Sequence, residues 1–218
     1  MPEKNILCFG DSLTWGWVPV LEGAPTQRYT RDVRWTGVLT EHLGPGYHVI
    51  EEGLSARTTT ADDPTDPRLN GSAYLPATIA SHLPLDLVVV MLGTNDTKTY
   101  LRRSPEEIAV GMSTLVGQIL SSGGGVGTIY PAPQVLLVAP PALGTMGHDW
   151  FATIFADAHE KSRALAHHYR ALADFMNIGF LDAGSVITTD GVDGIHFTPE
   201  NNRELGQAVA RRVLEILD

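Results

Sequence analysis

Cysteine is almost missing from this 218-residue chain. Cys8 is the one thiol, which excludes an intrachain disulfide and a cysteine-based metal site. Its place in an apolar run predicts an inert, buried group. Basic residues are scarce too: 15 Lys+Arg stand against 25 Asp+Glu, a formal net charge of −10. With no basic cluster, nucleic acid and anionic membrane surfaces are excluded as partners. No apolar run approaches membrane-spanning length. The opening Met1-Pro2-Glu3-Lys4-Asn5 has no basic region, long apolar core or small-residue cleavage site, so no leader is expected and the cytoplasm is the expected location. Repeats and interdomain linkers are absent as well. At this length that predicts one domain over residues 1–218, with a substantial core.

What is present is an alternation. Apolar runs at residues 5–9, 47–51, 86–92, 134–139 and 179–182 read as strands. The third, Leu87-Val88-Val89-Val90-Met91-Leu92, is continuous and β-branched, as suits a strand covered on both faces. Helical periods predict helices over 35–43, 74–82, 104–121, 150–176 and 199–217. Ser104-Pro105-Glu106-Glu107 is a capping box with proline in the first turn, and Thr198-Pro199-Glu200 opens the last helix. The alternation predicts an α/β fold, three layers α/β/α around a five-stranded parallel sheet. Right-handed crossovers make the flavodoxin-like order 2-1-3-4-5 the natural one. Irregular stretches 18–34, 54–73 and 140–149 start at or soon after strand carboxyl ends, where such sheets place ligands. A fourth, 123–133, follows a helix and is expected to be a far-side loop or a subunit contact.

Gly10-Asp11-Ser12-Leu13 closes the first strand, and a serine there needs a base and a place for an oxyanion. Among the histidines, His42, His82, His159, His167 and His168 fall in helical patterns, His48 in a strand and His148 in a loop. Solvated or packed roles are expected of all of them. His196 differs. It lies in Asp190-Gly191-Val192-Asp193-Gly194-Ile195-His196, a glycine-shaped loop between the fifth strand and the last helix. A carboxylate that holds one ring nitrogen makes the other a base near neutral pH. Asp193 and Asp190 compete for that place, the three-residue spacing favouring Asp193, while Asp182 is expected to cap the loop. The plainer alternative is that the Asp-Gly pairs only make turns. For the oxyanion, Asn95 in Gly93-Thr94-Asn95-Asp96 can present its amide, and Gly53 an unobstructed backbone N–H. Each alone is also an ordinary turn residue. Together, four strand ends bring Ser12, Gly53, Asn95 and Asp193/His196 to one edge, a convergence more specific than any member.

In these residues the chain resembles the SGNH (GDSL) hydrolases. Gly10-Asp11-Ser12-Leu13 is that family's first motif, Gly53 suits the second block, Gly93-Thr94-Asn95-Asp96 the third, and Asp193-Gly194-Ile195-His196 the fifth. Gly10-Asp11-Ser12-Leu13-Thr14-Trp15-Gly16-Trp17, Glu52-Gly53-Leu54-Ser55-Ala56-Arg57 and Asp62-Asp63-Pro64-Thr65-Asp66-Pro67-Arg68-Leu69-Asn70-Gly71 are similar to the bacterial arylesterase branch that includes acyltransferase/perhydrolase enzymes. The second block departs from the family pattern. It often reads Asn-x-Gly-x-Ser-Gly, whereas Glu51 and Arg57 stand at the Asn and second Gly positions, altering the pocket beside Gly53. The resemblance implies a serine esterase needing no metal or other cofactor. Ser12 would be the nucleophile, His196 the general base and then acid, and Asp193 its orienting carboxylate. Ser12 N–H, Gly53 N–H and the Asn95 side chain would form the oxyanion hole, with Asp11 and Asp96 structural. A homo-oligomer is implied too, acting on small-molecule esters with water, an alcohol or peroxide as acyl acceptor.

Leu13, Trp15, Trp17, Leu54, Ser55 and Ile195 are candidate substrate-binding residues. Phe151 and Phe155 could join them, although a core place is favoured for both. Bulky walls beside the serine predict short acyl groups and an apolar alkyl or aryl alcohol. Two other activities suit the scaffold: a carbohydrate O-deacetylase, kept open by Arg57, Asp62, Asp63 and Arg68, and a lysophospholipase/thioesterase, which needs a longer apolar groove. A non-catalytic small-molecule binder is disfavoured, because Gly10-Asp11-Ser12 lacks the glycine spacing of a dinucleotide or P-loop site. Prolines among Asp62, Asp63 and Asp66 predict a rigid acidic loop rather than a metal site.

Overall fold

Strand residues alternate between the two faces of a sheet, so apolar side chains on both parities require cover on both sides. In the computed structural model, which describes residues 3–217, five parallel strands meet that requirement. They are β1 (Lys4–Gly10), β2 (Tyr47–Gly53), β3 (Leu87–Met91), β4 (Gln134–Ala139) and β5 (Gly179–Asp182), in the order β2-β1-β3-β4-β5. The helices are α1 (Ser12–Trp15), α2 (Trp35–Leu43), α3 (Gly71–His82), α4 (Pro105–Leu120), α5 (Asp149–Ile154), α6 (Ala158–Met176) and α7 (Pro199–Leu217). Leu7, Phe9, Val88 and Val90 pack on one face with Ile79 of α3, Met112 of α4 and Leu165 of α6. Ile6, Cys8, Val89 and Met91 pack on the other with Leu39 of α2 and Val209 of α7. The expected three layers and strand order are therefore present. Cys8 is fully buried in this core, and burial pushes its thiol pKa up, away from reactivity. Among the described residues no helix is long and apolar enough to cross a membrane. Met1 and Pro2, which open the stretch read for a leader, lie outside them.

Three elements differ from expectation. The helix predicted over 150–176 is two, because the chain breaks at Phe155 between α5 and α6. The break lets Phe155 and Ala158 close a small cluster with Leu143 and Ile195, burial that a straight helix would forgo. Second, α3 starts at Gly71 rather than residue 74, because Asn70 caps it through Ser72 N–H, and it runs through Pro76. Proline lacks the N–H that would bond Ser72 O. Gln118 Nε2 takes that carbonyl instead, at 2.9 Å. Third, α1 is a single turn where only wall material was expected. The stretch 123–133 lies between α4 and the start of β4, at the sheet edge opposite Ser12.

Candidate active site

The parallel register sets Gly10 level with Gly53 and Met91, so three strands end together. Beyond Gly10, Asp11 Oδ1 accepts the Leu13 N–H at 2.9 Å and caps α1, which Gly16 ends at φ 91°. Ser12 is the first residue of that turn. Its Oγ lies 2.9 Å from His196 Nε2, and His196 Nδ1 lies 2.8 Å from Asp193 Oδ2. Asp193 Oδ1 accepts backbone N–H groups of Ile195 (3.0 Å) and His196 (2.9 Å), so one carboxylate shapes the loop and holds the ring. The tight turn needs glycine: Gly194 has φ +76°, and a Cβ there would stand 2.2 Å from Thr145 O. Burial pushes the Asp193 pKa up, but the hydrogen bonds and charge of His196 outweigh it and hold the carboxyl below its ordinary value. Asp190 is turned elsewhere, accepting from Thr188 Oγ1 at 2.7 Å and Asn201 Nδ2 at 3.2 Å. Asp182 caps the turn after β5 through Gly184 N–H. His148 caps α5, with Nδ1 accepting from Trp150 N–H.

On the oxyanion side, Asn95 Nδ2 donates to Asp11 Oδ2 at 3.2 Å and to Arg57 O at 3.1 Å. Asp11 thus links the serine turn to the Asn95 block. Asp96 accepts from Thr59 N–H and Thr59 Oγ1, tying the same block to the loop after β2. Burial pushes the pKa of Asp11 up to about 7 and that of Asp96 up to about 6. Counted from Gly53, the second glycine of the family pattern falls on Ala56, at φ 69°, and Arg57 follows it. Glu51 and Arg57 are both structural. Glu51 pairs with Arg34 (2.7 Å) and Arg28 (3.1 Å), fastening the loop 18–34 to β2. Arg57 is buried, stacks its guanidinium 4.0 Å from the Phe9 ring and donates Nη1 to Gly10 O at 2.9 Å. Gly53 abuts α1 so closely that a Cβ would stand 2.3 Å from Trp15 N.

A cavity of about 150 Å³ opens at Ser12, His196 and Asn95. Larger concavities lie elsewhere, but they lack this chemistry. Trp17, Ser55 and Ile195 line the cavity as anticipated, and the Trp17 indole stacks on His196 with centroids 5.0 Å apart and planes 16° apart. Leu13, Trp15 and Leu54 do not line it. Successive residues of a helical turn point about 100° apart, so Leu13 beside Ser12 faces inward and packs with Ile6 and Cys8. Trp15 lies under the Arg28 guanidinium at 5.5 Å. Leu54 and Gly53 border a separate cavity of about 460 Å³ with Arg57 and Tyr74. The wall is completed by Phe151 and Phe155, which serve the small cluster and the cavity together, and by Ala56, Ile154 and Lys98, which sequence reasoning missed. Lys98 carried a usable signal: it is three residues beyond Asn95 in the same strand-end block. Among the described residues no three His, Cys, Asp or Glu gather to hold a metal ion. Asp62, Asp63 and Asp66 are engaged by Asn70, Lys98 and Arg68 respectively.

A hydroxyl, an imidazole and a carboxylate in line at the carboxyl edge of a parallel sheet are the parts of a serine hydrolase. The chain belongs to the GDSL-like lipase/acylhydrolase family, whose model matches residues 8–203. Among solved structures it is similar to the aryl esterase of M. smegmatis, 66% identical over 98% of this chain and 100% of that one, with a TM-score of 0.98. A carbohydrate acetylesterase from Sinorhizobium meliloti is 60% identical over 98% and 100%, with a TM-score of 0.97. A further carbohydrate acetylesterase family member from Sinorhizobium meliloti is 38% identical over 98% and 99%, at 0.87. No curated protein matches the chain.

Proposed function

We propose that this chain is a serine esterase that hydrolyses short-chain acyl esters of aryl or alkyl alcohols through an acyl-enzyme. The observation that carries the proposal is the hydrogen-bonded line from Asp193 through His196 to Ser12, opening into an apolar cavity of about 150 Å³. Neutral His196, its Nδ1–H held by Asp193, takes the Ser12 proton at Nε2 as Oγ bonds to the carbonyl carbon. Ser12 N–H, Gly53 N–H and the Asn95 amide are the proposed donors to the oxyanion, Asn95 sharing hydrogens that rest on Asp11 and Arg57 O. The carbonyl–alkoxide bond then breaks, and His196 returns the proton to the leaving oxygen. Water repeats the sequence to free the acid. An alcohol or hydrogen peroxide entering the apolar cavity in place of water would take the acyl group from Ser12 as a new ester or a peracid, the proposed side activities.

The small cavity argues against a lipid substrate, which needs a long apolar groove. A carbohydrate O-deacetylase is the second reading, favoured by the 60% identical acetylesterase. We also propose a homo-oligomer, supported by Val126 and Ile129, 87% and 97% exposed in the stretch 123–133; a monomer by light scattering would reject it. Release of p-nitrophenol from acetyl, butyryl and octanoyl esters, with Ser12→Ala beside wild type and benzyl alcohol in half the tubes, tests the main reading. Fast acetyl turnover, lost in Ser12→Ala and partly diverted to benzyl acetate, is the expected result. Undiminished turnover in Ser12→Ala would end the proposal.

A further inference from the structure

The cavity at Ser12 is walled mostly by apolar side chains, yet Lys98 lines it. Lys98 is 6% exposed, and a buried ammonium is costly unless its charge and hydrogens are met. Its Nζ donates to Asp63 Oδ2 at 3.2 Å. That carboxylate is already well served. Oδ1 accepts from Thr65 N–H (2.9 Å) and Thr65 Oγ1 (2.6 Å), and Oδ2 also accepts from Tyr100 Oη at 2.8 Å. Burial pushes the Asp63 pKa up, but these bonds and the Lys98 charge outweigh it and hold it at about 2. The pair is therefore lopsided. Asp63 spreads its negative charge over four donors, whereas the ammonium, with three N–H groups, makes one hydrogen bond among the described residues. It also stands 5.8 Å from the centroid of the Tyr100 ring, and its charge reaches Asp11.

We infer that Lys98 forms a subsite for negative charge beside the scissile ester, selecting esters whose alcohol carries a carboxylate over those whose alcohol carries a cation. The inference rests on the esterase reading above. It falls on the alcohol because a short acyl group has no room for a charged substituent in so small a cavity. Apolar neighbours such as Phe155 and Ile154 keep the local dielectric low, which strengthens a charge contact at this position.

The test uses three acetyl esters: 4-acetoxybenzoate, 4-acetoxybenzamide and 4-acetoxyphenyl-trimethylammonium. The kcat/KM ratio of the first to the third is compared between wild type, Lys98→Arg and Lys98→Met, so that differences in leaving-group reactivity cancel. Lys98→Met is expected to lower the ratio about tenfold or more, and Lys98→Arg to keep it, since the charge stays. An unchanged ratio in Lys98→Met, with turnover still dependent on Ser12, overturns the subsite and leaves the esterase standing. Absence of Ser12-dependent turnover on all three esters overturns the esterase reading and the subsite with it. Should Lys98→Met not fold, inhibition of wild type decides: 4-hydroxybenzoate binding more tightly than 4-hydroxybenzamide supports the subsite, and equal inhibition rejects it.

Discussion

Asp11 and Asp193 are both buried carboxylates at the carboxyl edge of the sheet, each one contact away from the serine turn. Desolvation acts on both in the same direction, yet they end on opposite sides of the ordinary value. Asp193 meets the Nδ1 of His196, which becomes cationic in the proposed mechanism, and two backbone N–H groups, and is held low. Asp11 meets one backbone N–H and a neutral amide, with Asp96 adding like charge, and is raised to about 7. A directly bonded imidazole thus outweighs burial, whereas the more remote charges of Arg57 and Lys98 do not. The lesson matches the proposed roles: the carboxylate bonded to the proposed base is held below its ordinary pKa, and the one that holds a turn and an amide is raised above it.

The contrast can be broken at three points. Asp193→Asn should cost most, about 10⁴-fold in kcat, because an amide does not select the tautomer with a free Nε2 or stabilise the imidazolium. Its oxygen would still accept the loop N–H groups, so a circular-dichroism spectrum like wild type should accompany the loss. Asn95→Ala should cost roughly 10²–10³-fold in kcat, measured on p-nitrophenyl acetate, by removing one of the proposed oxyanion donors. Asp11→Asn should cost least in turnover and show itself in stability. In the folded chain Asp11 keeps a proton up to about pH 7 that the unfolded chain releases near the ordinary carboxyl value of 3.8. The folded state binds more protons across that window, so stability falls as pH rises through it. For Asp193 the sign reverses: its lowered pKa contributes stability at higher pH that is lost as pH falls. Melting temperatures across pH 4 to 7 should therefore slope less in Asp11→Asn than in wild type. A loss of turnover in Asp11→Asn equal to that of Asp193→Asn would erase the distinction drawn here.

Much of the fold was legible because its signals are local. β4, β5, α2 and α7 begin and end where periodicity placed them. The capping box at Ser104 is made through both of its hydrogen bonds. Even α1 was written in the chain, as an aspartate cap before Ser12 and a glycine stop at Gly16, a signature the strand-end reading passed over. The candidate site was legible in a different way, through four blocks whose strand ends any parallel sheet of this order brings together. What stayed illegible was direction. Leu13, Trp15 and Leu54 flank candidate positions in sequence and do not line the cavity, while Lys98, from the Asn95 block, and Ile154, at the end of α5, do.

By itself, then, the sequence determined the layers, the strand order and the edge where Ser12, Asn95 and His196 meet, since these follow from patterning, caps and handedness within each segment. Tertiary structure settled Asp193 over Asp190, a choice the spacing only favoured, and alone decided that Arg57 braces β1 and that Lys98 lines the cavity at Ser12. Most of those choices depend on contacts between residues dozens of positions apart, and all of them on which way a side chain leaves its turn. Neither quantity is expressed in the periodicity of any one segment.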